Sequence, residues 1–289
     1  SLARRIETLT SSKASVDLAW NPEFLREGFA VEDTLRPDRL VIGTDPGSDT
    51  HVARTVLREV YHEIIETGLP VIETDWSTAE LVKVSANAFL ATKISFINAI
   101  SELCEIVGAD VSTLADAIGH DKRIGRRFLN AGLGFGGGCL PKDIRAFEAR
   151  AEELGAHGAL RFLREVDTIN MRRRSAMVEL IAQVCPRELL GANIAVLGAA
   201  FKPESDDVRD SPALSVAGQL ALRGASVTVF DPKANANSRR MYPMLDYADS
   251  AAEAAQDADV VAIATEWAQF VHMAPSELDP VVRSRVIVD

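Results

Sequence analysis

The chain has 289 residues, of which 47% are apolar and 25% are charged, and its net charge is −11. These values are typical of a globular protein with a sizeable core, and they exclude disordered, collagen-like and coiled-coil chains. The acidic balance argues against non-specific binding to nucleic acid, which needs clustered cations. No apolar run reaches the ~20 residues of a membrane span, and three widely spaced cysteines favour neither a disulfide framework nor a metal site. We therefore expect a cytoplasmic protein with no metal and no nucleic-acid or membrane partner.

The first quarter of the chain alternates strand and helix signals. The segment 21–28 is predicted as a short helix, with Asn21 as its N-cap, Pro22 at the first helical position and Gly28 as its stop. The other predicted helices are 1–12 and 49–66, and the predicted strands are 16–20, 39–43 and 71–73. This order predicts the C-terminal part of an α/β domain, over 1–76, whose first half is missing.

The middle of the chain, 77–185, is predicted to be all-helical. Its predicted helices are 78–107, 111–118, 121–130, 141–154 and 158–184. The first of them is apolar on most sides, so it is expected to be buried inside the protomer or between protomers.

Strands and helices alternate again over 186–289. The predicted strands are 193–197, 227–230, 260–264 and 285–288, and Ser211-Pro212 is predicted to start a helix. The pattern predicts a second doubly wound parallel sheet. Because its last strand reaches Asp289, we expect the chain to be cut at both ends.

Two pairs of polar residues lie at helical spacing. Glu23 and Glu27 would share one helix face, where they either favour the helix dipole or hold a water or ribose hydroxyls. Lys83 and Asn87 interrupt an apolar helix. They either form an exposed stripe with Lys83 reaching water, or donate hydrogen bonds to a developing oxyanion.

A third pair, Cys139 and Asp143, follows a run that is rich in glycine, GLGFGGG (132–138). Glycines permit positive φ angles and a close approach of the backbone to a ligand. A cysteine just before a helix, next to Lys142, suits a reactive thiol, whereas a lone cysteine is more often inert packing, as we expect for Cys104 and Cys185.

The last third carries Phe201-Lys202-Pro203 directly after a strand. A strand followed by a helix N-terminus is suited to phosphate binding, although the GxGxxG dinucleotide fingerprint is absent here. Asp231 ends the next strand, where a ribose-binding acid would lie; the alternative is an ordinary solvated loop.

Four segments together resemble the UDP-glucose/GDP-mannose dehydrogenase family of nucleotide-sugar 6-dehydrogenases, and its UDP-glucose subgroup in particular. They are NPEFLREG (21–28), ELVKVSANAFLATKISFINAISELCE (80–105), GFGGGCLPKD (134–143) and GAAFKPESDDVRDSP (198–212). Two further stretches, 33–43 and 265–270, favour the subgroup. The resemblance covers essentially the whole chain, in order.

The resemblance implies a partial NAD-binding Rossmann domain, a central helical dimerisation domain and an incomplete UDP-binding domain. It also implies NAD-dependent four-electron oxidation of UDP-glucose to UDP-glucuronate by a homodimer, through a thiohemiacetal and a thioester on cysteine. The fragment alone is expected to be inactive.

The family's site residues carry over by position. The implied catalytic residues are Cys139 as nucleophile, Lys83 and Asn87 as oxyanion donors, Asp143 as the residue that orders water, and Glu23 as the base in hydrolysis. The implied NAD contacts are Glu27, Lys142 and Arg209. The implied substrate contacts are Glu23, Phe24, Leu25, Arg26, Lys83, Asn87, Arg123, Phe128, Leu129, Asn130, Ala131, Gly132, Gly136, Phe201 and Lys202, with Arg123 matching an arginine that reaches the partner subunit.

Two positions depart from the family pattern. Gly138 stands where serine is common, and Asn130 stands where some members have lysine. The alternatives are a GDP-mannose or UDP-N-acetylmannosamine 6-dehydrogenase and, from another class, a non-catalytic nucleotide-sugar-binding or dimerisation module.

Overall fold

The computed structural model describes residues 17–45, 47 and 52–289, and the predicted helix 1–12 lies outside them. The chain divides into an N-terminal unit, Ser1–Ala86, and a C-terminal unit, Asn87–Asp289. The first unit contains α1 (Ala30–Leu35), β1 (Leu40–Thr44), α2 (Val52–Val60), α3 (His62–Ile65), β2 (Val71–Asp75) and the start of the long helix α4 (Trp76–Val107).

The sheet of the N-terminal unit consists of β1 and β2, which run parallel with Leu40 opposite Val71. The apolar strand β1 is buried along its whole length. Two of the predicted strands are thereby confirmed, while the third, at 16–20, is wrong over its described part. There Trp20 forms only an isolated antiparallel bridge with Gly43. The pairing does not continue because Pro22 follows closely and has no N–H to donate.

The helix predicted over 49–66 is interrupted within its described part. Tyr61, at φ −96° and ψ 14°, leaves helical geometry between α2 and α3. Its hydroxyl donates to Asn21 Oδ1 at 2.9 Å, so this break directs a tertiary hydrogen bond toward the segment that precedes β1.

Four helices form the first half of the C-terminal unit: the remainder of α4, α5 (Val111–Gly119), α6 (Leu140–Glu153) and α7 (Phe162–Val184). α4 has 32 residues and is therefore about 48 Å long. It ends where Gly108 takes a φ of +70°. A small core joins three of these helices, with Ala91 of α4, Ile144 of α6 and Leu163 of α7 in one cluster with Phe135.

The helix predicted over 121–130 is wrong, because this stretch forms turns. The Asp121 carboxylate accepts from the backbone N–H of Arg123 at 2.9 Å, which is a side-chain turn that competes with helix formation. Gly125 and Phe128 then adopt positive φ angles of 70° and 66°.

The second half of the C-terminal unit is a five-stranded parallel sheet with the order β5-β4-β3-β6-β7. Its elements are β3 (Asn193–Leu197), α8 (Pro212–Leu222), β4 (Ser226–Phe230), α9 (Asn235–Met241), β5 (Asp246–Tyr247), α10 (Ala251–Ala254), β6 (Val260–Ile263), α11 (Ala268–Val271), a 3₁₀ turn (Pro275–Glu277) and β7 (Ile287–Val288). The order reverses at β3, which places a crevice at the carboxyl ends of β3 and β6. The predicted fold class is confirmed.

Candidate active site

The segment 21–28 has no regular secondary structure and ends in a turn at 27–28, so the predicted helix there is wrong. Asn21 does not cap a helix. Its Nδ2 donates to Val41 O at 2.8 Å, and its Oδ1 accepts from the Tyr61 hydroxyl. The amide therefore fixes this segment against β1, and the spacing of Glu23 and Glu27 no longer places them on one helical face.

Glu23 nevertheless has a cationic partner, Lys83 of α4. The Lys83 Nζ lies 2.9 Å from Glu23 Oε1, while Glu23 Oε2 accepts from the Leu25 N–H at 2.6 Å. The Phe24 ring contacts two cations, with its centroid 3.8 Å from the Arg39 guanidinium and 5.6 Å from Lys83 Nζ. A carboxylate such as that of Glu23 can accept a proton from water, and an ammonium such as that of Lys83 can stabilise an oxyanion.

Arg26 is engaged within its own unit. Its side chain forms a forked ion pair with Asp33, and its backbone N–H donates to the same carboxylate at 2.7 Å. The hydrogen bond that Arg26 donates to Asp33 and the negative charge of that carboxylate raise the pKa of Arg26 above its usual value. Glu27, half-buried, follows in the turn.

Asn87 of α4 and Asp143 of α6 are brought together in the C-terminal unit. The Asn87 Nδ2 donates to Asp143 Oδ2 at 2.6 Å, and the other carboxylate oxygen lies 3.3 Å from Lys142 Nζ. Asp143 is mostly buried, whereas Lys142 is exposed. An amide, a carboxylate and an exposed cation therefore meet at the first turn of α6.

Cys139 is the N-cap residue of α6, and its side chain is exposed. Its carbonyl accepts from the Asp143 N–H at 2.9 Å, so the thiol stands one helical turn from the pair formed by Asn87 and Asp143. An exposed thiol at the start of a helix is a place where nucleophilic cysteines are found.

The glycine-rich loop packs closely on the segment that follows β3. A Cβ on Gly136 would lie 2.4 Å from Asp210 O and 2.8 Å from Pro212, and the Gly137 N–H donates to Arg209 O at 2.8 Å. A Cβ on Gly138 would lie 2.4 Å from the Arg209 guanidinium carbon. Glycine at 138 thus leaves room for the Arg209 guanidinium against the residue that precedes Cys139.

The residues 128–132 lie in the irregular stretch that replaces the predicted helix. Leu129 is buried with Ile97, so it presents only its backbone to a ligand. Asn130 Oδ1 accepts from Arg126 at 2.7 Å, and the Gly132 N–H donates to the buried Asn98 Oδ1 at 2.8 Å. Phe128, Asn130 and Gly132 are exposed, and Ala131 is half-buried.

Arg123, which the resemblance associates with a partner subunit, is highly exposed and paired with Asp121 at 2.6 Å. That hydrogen bond raises the pKa of Arg123 and lowers the pKa of Asp121.

At the crevice of the C-terminal sheet, Phe201 and Lys202 follow β3 and are both half-buried. Ser211 caps α8 as predicted, accepting from the Leu214 N–H at 3.2 Å. The interpretation of Asp231 as a ribose ligand is wrong, because both of its carboxylate oxygens already accept hydrogen bonds from donors of the protein. They are the backbone N–H groups of Ala199, Ala200, Lys233 and Ala234 and the Trp267 indole N–H.

Sequence reasoning missed the buried polar side chains that hold the glycine-rich loop, namely Asn98, Asn170 and Arg174. Asparagine inside long helices was the available signal, since buried amides need partners. Among residues 17–45, 47 and 52–289, no group of histidine, cysteine or acidic side chains is arranged to hold a metal ion. In the same part of the chain, no helix is both long and apolar enough to cross a membrane.

Comparison with known proteins assigns the same family to three regions of the chain. The UDP-glucose/GDP-mannose dehydrogenase family matches through its NAD binding domain over 2–65, its central domain over 77–172 and its UDP binding domain over 195–289. The UDP-glucose 6-dehydrogenase of Rhizobium meliloti (strain 1021) is 44% identical over 285 residues, which cover 99% of this chain and 64% of that protein. The chain thus spans about two thirds of the length of this relative.

Two solved structures are similar in fold. A UDP-glucose dehydrogenase from Pyrobaculum islandicum aligns with a TM-score of 0.88 and 34% identity, covering 100% of this chain and 66% of that one. A UDP-D-ManNAc dehydrogenase from Pyrococcus horikoshii aligns with a TM-score of 0.82 and 25% identity, covering 99% and 64%.

Proposed function

Because this chain belongs to the UDP-glucose/GDP-mannose dehydrogenase family, we propose that the full-length protein is an NAD-dependent UDP-glucose 6-dehydrogenase. It oxidises the C6 alcohol of UDP-glucose to the carboxylate of UDP-glucuronate. The observation that carries this proposal is the exposed Cys139 at the start of α6, one turn from Asp143 and its hydrogen-bonded partner Asn87. A simple two-electron alcohol dehydrogenase needs no thiol at this place.

The residues present fit a dinucleotide at Cys139. The Arg209 guanidinium lies against Gly138, and Lys142 is exposed one turn into α6. Two cations of this kind suit a pyrophosphate, and Glu27 is the proposed third contact. When bound, NAD accepts one hydride in each oxidation, so two NAD molecules take up the four electrons.

The chemistry assigned to the chain centres on sulfur. After the first oxidation, the Cys139 thiolate adds to the aldehyde carbon, and the carbonyl oxygen takes up a proton to form a thiohemiacetal. Loss of that proton and of a hydride leaves a thioester on Cys139. Water then adds to the thioester carbon and expels the thiolate, which restores the enzyme and releases the acid.

The other proposed catalytic residues have separate tasks in this scheme. Asn87 donates to the oxygen that becomes negative, and Lys83, one turn earlier on α4, supplies positive charge for the same oxygen. Asp143 orders a water and assists proton transfer. Glu23, which holds Lys83 in an ion pair, is the proposed base in thioester hydrolysis.

Besides Glu23, Lys83, Asn87 and Arg123, the proposed substrate contacts come from four places in the chain. They are Phe24, Leu25 and Arg26; Phe128, Leu129, Asn130, Ala131 and Gly132; Gly136; and Phe201 and Lys202. We assign NAD binding to 1–76, catalysis and dimerisation to 77–185 and UDP binding to 186–289. A reducing cytoplasm suits this scheme, because it maintains Cys139 as a thiol.

The identity of the sugar nucleotide is the part of the proposal for which there are alternatives. The relative from Rhizobium meliloti supports UDP-glucose at 44% identity, whereas the UDP-D-ManNAc dehydrogenase is only 25% identical. Assays of the full-length protein with UDP-glucose, UDP-N-acetylmannosamine and GDP-mannose decide between them. The highest kcat/KM for UDP-glucose is expected, and a higher value for either other sugar overturns the assignment.

Dimerisation is proposed through an apolar stripe on α4, defined by Phe89, Phe96, Leu103 and Ile106. All four side chains are at least half exposed, and the first three recur every seven residues, which is the spacing of a helix-to-helix seam. The proposed occupant is the same stripe of a second copy, with Arg123 reaching the partner's site. Phe96→Glu in the full-length protein is expected to lower the mass measured by light scattering to that of a monomer. Leu222→Glu, at an exposed leucine of α8, is the control, and an unchanged mass for Phe96→Glu refutes the seam.

The decisive test of the proposed function is Cys139→Ser in the full-length protein. Acid formation is expected to fall by at least about 1,000-fold, since the nucleophile of the second oxidation is lost. Cys185→Ser, at a thiol outside the site, is the matched control and is expected to retain activity. Unimpaired acid formation by Cys139→Ser refutes the thioester route. Absence of any NAD reduction in the wild-type protein with all three sugars favours a non-catalytic binding module.

A further inference from the structure

The glycine-rich loop, 132–138, takes its fixed shape from a buried amide of α7. Asn170 Oδ1 accepts from the Phe135 N–H at 2.7 Å, and Asn170 Nδ2 donates to Phe135 O at 2.9 Å. We propose that Asn170 is a positioning residue that sets the place of Cys139 for attack on the aldehyde. This inference rests on the proposed function for its catalytic consequence, although the clamp itself can be tested without any reaction.

The chemistry of the pair demands an amide of this length. A side chain that both donates to and accepts from the backbone of one residue must carry an N–H and a C=O side by side, as asparagine and glutamine do. Asn170 is completely buried, so removal of its side chain leaves both backbone groups of Phe135 without that partner, which is costly away from water.

Gly134 makes the close approach possible. It has a φ of +93°, and a Cβ at this position would lie 2.2 Å from Asn170 Oδ1. The Asn170 amide can therefore reach the loop only because residue 134 has no side chain, although the two residues lie far apart in the sequence.

A second buried side chain of α7 reinforces the clamp. Arg174 Nη2 lies 3.3 Å from both Phe135 O and Asp210 O, and Arg174 Nη1 donates to Asp210 Oδ1 at 2.8 Å. The Gly137 N–H, two residues further along the loop, donates to Arg209 O. Hence the loop is held from α7 and from the segment after β3, and Cys139 follows directly after it.

Rigid support of this kind matters because covalent catalysis depends on the position of the attacking atom. A displacement of about 1 Å can lower a rate by about 100-fold. Asn170 is not among the residues proposed to contact the substrate or NAD. Its effect on the reaction is transmitted through the backbone of Phe135.

The experiment uses the full-length protein with Asn170→Ala and Asn170→Asp. Ser95→Ala is the matched control, because the Ser95 hydroxyl also forms a buried hydrogen bond to α7, at 2.7 Å to Val166 O, but does not touch the loop. Hydrogen exchange of the amides 132–138 and steady-state kinetics are measured for all three variants at a temperature where each is folded.

For Asn170→Ala, exchange at Phe135 is expected to accelerate by at least about 10-fold. Its kcat is expected to fall by about 100-fold, with the KM for NAD and for the sugar nucleotide within about threefold of wild type. Asn170→Asp keeps the acceptor and loses the donor, so an intermediate effect is expected; it also serves if Asn170→Ala does not fold. Ser95→Ala is expected to lower the melting temperature without either change.

Unchanged exchange at Phe135 in both Asn170 variants, or a kcat loss equal to that of Ser95→Ala, overturns the inference. Because exchange is measured without substrate, the clamp fails or stands independently of the reaction. Normal acid formation by Cys139→Ser would instead refute the proposed function while leaving the exchange result intact.

Discussion

Two irregular segments carry candidate site residues, and an asparagine holds each of these segments, one asparagine half-buried and the other fully buried. In 21–28, Asn21 is half-buried and bonds one strand carbonyl and one tyrosine hydroxyl. In 132–138, Asn170 is fully buried and bonds both backbone groups of a single residue. The comparison teaches that amide side chains can replace helix or sheet pairing, and that the deeper anchor leaves its loop fewer alternatives because water cannot compete for the bonds.

The largest expected effect sharpens this comparison at the deeper loop. Gly134→Ala should lower the free energy of unfolding by about 2–5 kcal/mol, since it combines a strained left-handed conformation with a clash against Asn170. Urea unfolding of the full-length protein measures this. The control is Gly191→Ala, at a φ of +76° with nothing within 4 Å of the new Cβ. It should cost about 1–2 kcal/mol, and equal losses in the two variants would mean that the Asn170 contact is not restrictive.

A middle effect is expected at the shallower segment. Asn21→Ala removes the bonds to Val41 O and to Tyr61 and should cost about 1–3 kcal/mol. Tyr61→Phe removes only one of those bonds and should cost about 0.5–1.5 kcal/mol. Chemical denaturation measures both. If Tyr61→Phe costs as much as Asn21→Ala, the hydrogen bond from Asn21 to β1 contributes nothing to stability. Asn21 would then hold its segment only through Tyr61, and its lesser burial would not explain the difference from Asn170.

The smallest effect separates neutral anchors from charged ones. Amides do not titrate, whereas Asp75, just before α4, accepts from the Thr78 N–H and hydroxyl, and these bonds lower the pKa of its carboxyl. A lowered folded-state pKa contributes stability above the unfolded value, about 3.9, and this contribution is lost as the pH falls through the folded pKa. The melting temperature of Asp75→Asn should therefore lie slightly below that of wild type at pH 7, and the gap should narrow as the pH falls below the unfolded value of about 3.9. A gap that stays constant over this range would show that the charge of Asp75 has no part in starting α4.

Sequence patterns predicted the regular elements well and the irregular ones poorly, for a physical reason. The helix over 78–107 and the strands after Gly191 follow from periodicity and from caps such as Ser211, which are local. The helices predicted over 21–28 and 121–130 failed because Asn21 and Asp121 have side-chain partners that outcompete capping or continuation. Those partners are distant in sequence for Asn21 and two residues away for Asp121.

The same distinction applies to the candidate site. The spacing of Cys139 and Asp143 indicated a shared face of α6, and the structure adds the hydrogen bond from Asn87. No local pattern relates Asn170 to a loop 35 residues earlier. Only the packing of α7 reveals that relation.

Asp231 has a consequence for how the crevice of the C-terminal sheet receives its ligand. One carboxylate joins the turn after β3, the turn after β4 and the indole of Trp267. The two turns and Trp267 are thus held together in the absence of a ligand, so they should lose little conformational entropy when a ligand binds. The affinity of the crevice should accordingly depend on direct contacts with the ligand, and the free-energy cost of ordering these turns on binding should be small.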